Sequence, residues 1–114
     1  MTARRQALGR YGEDLVERWY AERGYRVLER NWRCPSGELD LVVTDGSQLV
    51  FCEVKTRSSD RYGTGFEAIT RAKQQQVRRL AAQYVRQRGG WAGPLRCDAA
   101  SVMGRTVEVL FAAF

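Results

Sequence analysis

Residues 38–56 read ELDLVVTDGSQLVFCEVKT, and their reading decides the fold. Two apolar, β-branched runs, Glu38–Thr44 and Leu49–Thr56, flank the turn signal Asp45-Gly46, which predicts an antiparallel hairpin. Side chains alternate across a strand with period two. A two-residue turn sets Asp40 opposite Phe51 and Glu38 opposite Glu53, whereas a four-residue loop, Asp45 to Gln48, sets Asp40 opposite Glu53. Both registers keep Glu38, Asp40, Glu53 and Lys55 on one face; a three-residue loop would part Asp40 from Glu53. The opposite face, Leu39, Leu41, Val43, Val50, Cys52 and Val54, is wholly apolar and is expected to be buried.

Cross-strand partners lie ~5 Å apart and diagonal ones ~7 Å. Carboxylates gathered at that range raise one another's pKa unless a cation joins them. Mg²⁺ takes one or two carboxylates, several waters and phosphate oxygens. Lys55, two residues after Glu53, projects to the same side, where an ammonium neutralises charge on a phosphate or orients a water. A surface hairpin with modest cross-strand ion pairs accounts for Glu53 and Lys55. It does not account for acids interrupting apolar central strands, where Asp is disfavoured.

Upstream, Leu8, Leu15 and Trp19 form a stripe flanked by Tyr11, Gly12 and Val16, which predicts a helix ending at Gly24. Glu13 sits at the flank of that stripe, where it either reaches the sheet edge or is a solvated helix acid. Tyr25–Trp32 reads as a strand, broken by Pro35-Ser36-Gly37. Downstream, Ser58 to Phe66 reads as a loop, basic through Arg57 and Arg61, and Glu67 to Arg88 as a helix stopped by Gly89-Gly90. Leu95–Met103 and Thr106–Phe111 read as two further strands. The order αβββαββ in 114 residues predicts one α/β domain spanning residues 1–114.

The chain has no histidine, which excludes imidazole bases, serine triads and His-built zinc sites. Three cysteines outside any CxxC argue against a disulfide framework or structural zinc, and fit reduced thiols in the cytoplasm. No apolar run approaches the ~20 residues of a membrane span, and Met1-Thr2-Ala3-Arg4-Arg5 leads into no secretory signal. A net charge of +6 points to a polyanionic partner, nucleic acid ahead of a membrane surface. Seventeen arginines against only Lys55 and Lys73 single out the lysines, because a compact ammonium does what a guanidinium fork cannot. Trp91 is a candidate base-stacker, although a loop Trp capping the core is the favoured reading.

Asp40 followed by Glu53-Val54-Lys55 resembles the PD-(D/E)xK nuclease superfamily, with Leu39 in place of the usual Pro. The longer set Gly9-Arg10-Tyr11-Gly12-Glu13, Gly24-Tyr25, Asn31-Trp32-Arg33, Gly37-Glu38-Leu39-Asp40-Leu41-Val42, Val50 to Arg57, Lys73, Arg96-Cys97-Asp98 and Ala113-Phe114 resembles the bacterial YraN family across essentially the whole chain. Cys97 and Ala99 depart from the bulkier residues usual in that strand.

The resemblance implies a restriction-endonuclease-like three-layer core, a mixed sheet of about five strands flanked by helices, related to archaeal Holliday-junction resolvases. It implies Asp40 and Glu53 as ligands of Mg²⁺ or Mn²⁺, Lys55 as catalytic lysine and Glu13 as a completing acid. Lys73 would touch phosphate beside the loop residues Arg57 and Arg61, and Glu38 belongs to the family signature without an assigned role. The leading expectation is metal-dependent hydrolysis of DNA, branched or otherwise structured, with no membrane partner and a homodimer left open. The alternatives are a nucleic-acid-binding module without cleavage and a structural protein whose acids only specify the fold.

Overall fold

The protein, described as a computed structural model over residues 3–58, 66 and 69–114 with the side chains of Arg4 and Arg5 excepted, follows the expected order. Its elements are α1 (Ala3–Ala21), β1 (Arg26–Cys34), β2 (Gly37–Thr44), β3 (Leu49–Arg57), α2 (Arg71–Gln87), β4 (Leu95–Met103) and β5 (Thr106–Leu110). The strands form one sheet in the order β1-β2-β3-β4-β5. All neighbours are antiparallel except β3 and β4, which are parallel and joined by the α2 crossover that a parallel pair requires.

The loop after β2 takes the four-residue form, with Thr44 opposite Leu49. Its own side chains explain why. The Asp45 carboxylate accepts the Ser47 and Gln48 amides at 2.9 and 2.8 Å, and the Thr44 hydroxyl donates to the Gln48 carbonyl at 2.6 Å. Gly46 supplies the positive φ of 99° in the middle.

Helix ends follow local capping chemistry. α2 begins at Arg71 rather than at Glu67, which lies outside the described residues, because extended Thr70 accepts the Lys73 amide at 3.2 Å as N-cap. At its far end Gly90 N–H donates to Val85 C=O at 2.8 Å and Gly89 N–H to Arg86 C=O at 3.1 Å, a Schellman closure. β1 runs to Cys34, two residues past Trp32, and β5 stops at Leu110, one short of Phe111.

Two cores sandwich the sheet. On one side Val16 and Tyr20 of α1 are buried against Leu41, Val43, Val50, Cys52, Ala100 and Val102. On the other, Val77, Leu80, Ala81 and Tyr84 of α2 pack on Leu39, Val42, Leu49 and Phe51. The buried line of α1 is therefore Gly12, Val16 and Tyr20, while Leu8, Leu15 and Trp19 flank it half-buried. Asp98, fully buried on β4, ties the layers together. It accepts Tyr20 Oη at 2.6 Å, Arg96 Nε at 2.8 Å and the Ala112 amide at 3.0 Å, which fixes the C-terminal segment against α1.

One expectation fails instructively. Leu39 packs with the α2 core, not with Leu41 on the α1 side. The alternation slips by one residue because Asn31 of β1, bracketed by the pairs Arg30–Leu41 and Trp32–Leu39, adopts φ 55°. Asn is among the few residues that accept this left-handed conformation. Glu38 leaves the expected face with the same slip and pairs with Arg33 Nε at 3.1 Å.

Two glycines of α1 test the packing. A Cβ on Gly12 would collide with the Thr56 side chain, whereas one on Gly9 would meet nothing. Gly9→Ala is expected to stabilise the chain by about 0.8 kcal/mol through helix propensity. Gly12→Ala is expected to destabilise it by about 1–3 kcal/mol through overpacking. Denaturant unfolding of both variants checks this; equal effects of one sign would contradict the close approach of α1 to β3.

Candidate functional site at the strand fork

The site lies where β2 and β3 separate. Their ladder runs from Thr44–Leu49 to Leu41–Cys52 and stops there. Beyond it, β2 stays paired with β1 as far as Gly37, and β3 stays paired with β4 as far as Arg57. Asp40 and Glu53 are the first residues past the last rung. The Asp40 carboxylate crosses the gap and accepts the Val54 amide at 2.9 Å, so a side chain replaces the missing backbone acceptor.

Glu53 is only 2% exposed. Its Oε1 pairs with Lys73 Nζ at 3.2 Å, while its Oε2 is buried and, among the described residues, has no hydrogen-bond partner. Burial pushes the Glu53 carboxyl above its ordinary range; the charges of Lys73 and Lys55 pull it back. Burial also drives Asp40 up to about 7, with the Glu53 charge adding to the rise and the Val54 amide opposing it. Lys55 is half-buried two residues beyond Glu53 on β3, on the α2 side of the sheet.

Glu13 approaches from α1. It accepts Asn31 Nδ2 at 3.1 Å and Arg30 Nε at 3.4 Å. Burial raises its pKa, the Asn31 hydrogen bond lowers it, and the Asp40 charge raises it again, so the two acids sense each other. Arg30 also reaches Asp14 at 2.7 Å and Glu17 at 3.7 Å, anchoring this turn of α1 over the fork.

The fork thus gathers four of the expected residues, Glu13, Asp40, Glu53 and Lys55. Lys73 joins them through a carboxylate, and Glu38 faces away with Arg33. Arg57 is half-buried at the end of β3, and Arg61 lies outside the described residues. Trp91 is half-buried against the α2 core, as a capping residue would be. Arg30 is a site residue the sequence reading misses, and Asn31 enters it only as part of the family motif, with no site role. Their signal was an Asn inside a strand pattern and a basic residue at a position that the strand turns toward α1.

Among the described residues no three Asp, Glu, Cys or His side chains converge tightly enough to enclose an ion. The donor chemistry fits a more open arrangement. Two mutually repelling carboxylates, one with an orphaned buried oxygen, match the one or two carboxylates with which a hard divalent cation is usually held.

The model of the uncharacterised protein family UPF0102 matches residues 12–102. A UPF0102 protein of a Nocardioides species is 52% identical over 99 residues, covering 87% of this chain and 80% of that one. A UPF0102 protein of Frankia casuarinae is 57% identical over 81 residues, 71% of this chain and 69% of that one. One from Moorella thermoacetica is 44% identical over 102 residues, 90% and 85% of the two chains. The chain belongs to UPF0102, the YraN family to which its motifs pointed.

The raised Asp40 pKa has a definite consequence for stability. Folding lifts it from 3.8 to about 7, so between those values the folded chain binds more protons than the unfolded chain. Stability therefore falls as pH rises through that window. Asp40→Asn keeps an oxygen for the Val54 amide and removes the charge. Its melting temperature relative to wild type is expected to climb across the window and to be higher than wild type at neutral pH. A pH-independent difference, or a less stable variant at neutral pH, would contradict a desolvated, mutually repelling pair.

Proposed function

We propose that this UPF0102 chain is a divalent-metal-dependent endonuclease acting on DNA phosphodiester bonds. The observation that carries the reading is the meeting of the Asp40 and Glu53 charges just past the last rung of the β2–β3 ladder, with the Lys55 charge acting on Glu53. Asp40 and Glu53 hold the cation, which supplies Lewis-acid stabilisation of the charge that develops at phosphorus.

The chain's own groups do the rest. The Val54 amide fixes the Asp40 carboxylate in the plane of the sheet. Glu53 is almost wholly removed from solvent, which strengthens its electrostatics. Lys55 presents an ammonium to the scissile phosphate and orients the attacking water. Glu13 lies on the other side of Asp40 and fixes the approach through Asn31 and Arg30.

The partner reading rests on α2. It carries Arg71, Lys73, Arg78, Arg79 and Arg86 and no acidic residue of its own, although Lys73 reaches Glu53 on the sheet. Arg71, Gln74, Gln75 and Arg78 line a cleft of about 270 Å³ on its surface, with donors suited to backbone phosphates. Branched or otherwise structured DNA is the favoured substrate form, in line with the superfamily resemblance.

Cleavage assays on linear, flapped and four-way DNA with Mg²⁺ or Mn²⁺ test the reading. Asp40→Asn is expected to abolish metal-dependent cleavage while metal-free DNA binding is kept or tightened. Lys55→Arg is expected to lower cleavage by about two orders of magnitude. Folded wild-type protein that binds DNA tightly yet cuts neither DNA nor RNA with either metal would replace the enzyme by a binding module.

A further inference from the structure

Lys73 is one of two lysines in a chain with seventeen arginines, and its ammonium lies 3.2 Å from Glu53 Oε1. It occupies a carboxylate that the metal-dependent reading reserves for a divalent cation. Lys73 holds Oε1 and leaves Oε2 without a partner among the described residues, and a divalent cation on the same carboxylate would repel the ammonium, so one must yield. Lys73 is built to do so. Its side chain is 31% exposed, against 2% for Glu53, which places it at the mouth of the fork. Its stem leaves the first turn of α2, where Thr70 holds the backbone through the Lys73 amide rather than through the side chain. A lysine ammonium is a compact, strongly hydrated charge on a flexible stem, whereas an arginine fork would grip the carboxylate in a fixed geometry. Arg71 is two residues away, in a helix with no acid to compete for a mobile ammonium.

We propose that Lys73 is a resident counter-ion that couples nucleic-acid binding to metal binding, an inference that rests on the metal-dependent reading above. In the free protein Lys73 neutralises Glu53 and holds the fork closed to a divalent cation. A backbone phosphate arriving at the mouth draws Lys73 away and removes its charge from Glu53, so that a cation meets the carboxylate without that repulsion. By linkage, whatever factor DNA adds to cation affinity the cation adds to DNA affinity. Lys73 is thus a positioning residue, and a free-standing cation in the cell meets a site that is already neutralised until DNA is present.

The test reads binding rather than turnover. Ca²⁺ uses the same hard oxygen ligands, and its affinity is measured by calorimetry with and without a saturating short duplex, in mildly alkaline buffer. Wild type is expected to bind Ca²⁺ about tenfold more tightly once DNA is bound. Lys73→Gln is expected to bind Ca²⁺ alone about tenfold more tightly than wild type, with the added effect of DNA reduced several-fold. Lys73→Arg, which retains a paired charge, should leave Ca²⁺ binding without DNA as weak as in wild type.

A cation bridging carboxylates and phosphate directly would couple the two in wild type and Lys73→Gln alike. Equal coupling factors, or weaker Ca²⁺ binding by Lys73→Gln, would therefore overturn the role of Lys73 and leave the metal reading standing. Absence of any Ca²⁺ binding that Asp40→Asn removes would overturn both. Should Lys73→Gln fail to fold, the comparison rests on wild type and Lys73→Arg: a wild type showing no gain in Ca²⁺ affinity with DNA also refutes the coupling.

Discussion

The end of the β2–β3 ladder at Leu41 and Cys52 is the constraint on which the rest of the molecule depends. A sheet that stays fully paired has no room between two central strands for a ligand, and one that opens leaves backbone groups unsatisfied. Here the opening is stabilised by a side chain, because the Asp40 carboxylate takes the Val54 amide. The same residue that closes the backbone bookkeeping thereby has its carboxylate fixed against Glu53. The slip in alternation at Asn31, with φ 55°, follows from the same divergence: β2 must turn away from β3 while still pairing with β1. Unusual backbone conformations that persist beside a cluster of acids are the form in which functional sites store strain.

Each layer contributes one support to this opening. α1 brings Glu13 to within reach of Asp40, which requires Gly12 to lie against Thr56 without a Cβ. Arg30 and Asn31 hold Glu13 from the sheet. α2 brings Lys73 against Glu53 from the opposite face. Burying carboxylates this closely costs stability, since each is desolvated and the two repel. A fold selected for stability alone would place apolar side chains at both positions. The two cores on either side, with Tyr20 bonded to Asp98 below and Tyr84 packed on Phe51 and Trp32 above, supply the compensating burial.

Much of this was legible in residues 38–56. The hairpin, the four-residue alternative for its loop and the convergence of Asp40, Glu53 and Lys55 follow from period-two alternation and from the loop chemistry of Thr44, Asp45 and Gly46. The family resemblance holds over most of the chain, residues 12–102. Alternation failed at Leu39 and Glu38, because period-two reasoning assumes a regular strand and one left-handed residue on the neighbouring strand resets the phase. Nothing local to β2 signals that event. Lys73 was singled out as a lysine among arginines, but its contact with Glu53 depends on where a helix lands after a crossover, which sequence spacing does not encode. The periodicity sets the start of α2 at Glu67, outside the described residues, whereas the Thr70 cap, which periodicity does not register, sets it at Arg71.

The central claim is that the fork between β2 and β3 is a cation site made by Asp40 and Glu53. Anomalous diffraction from crystals of the protein with a short DNA duplex, soaked in Mn²⁺, tests it most directly. The account predicts a peak between the two carboxylates, within about 2–2.5 Å of an oxygen of each, with Lys73 withdrawn from Glu53. Well-ordered carboxylates with no peak between them at saturating Mn²⁺ in those crystals would contradict it.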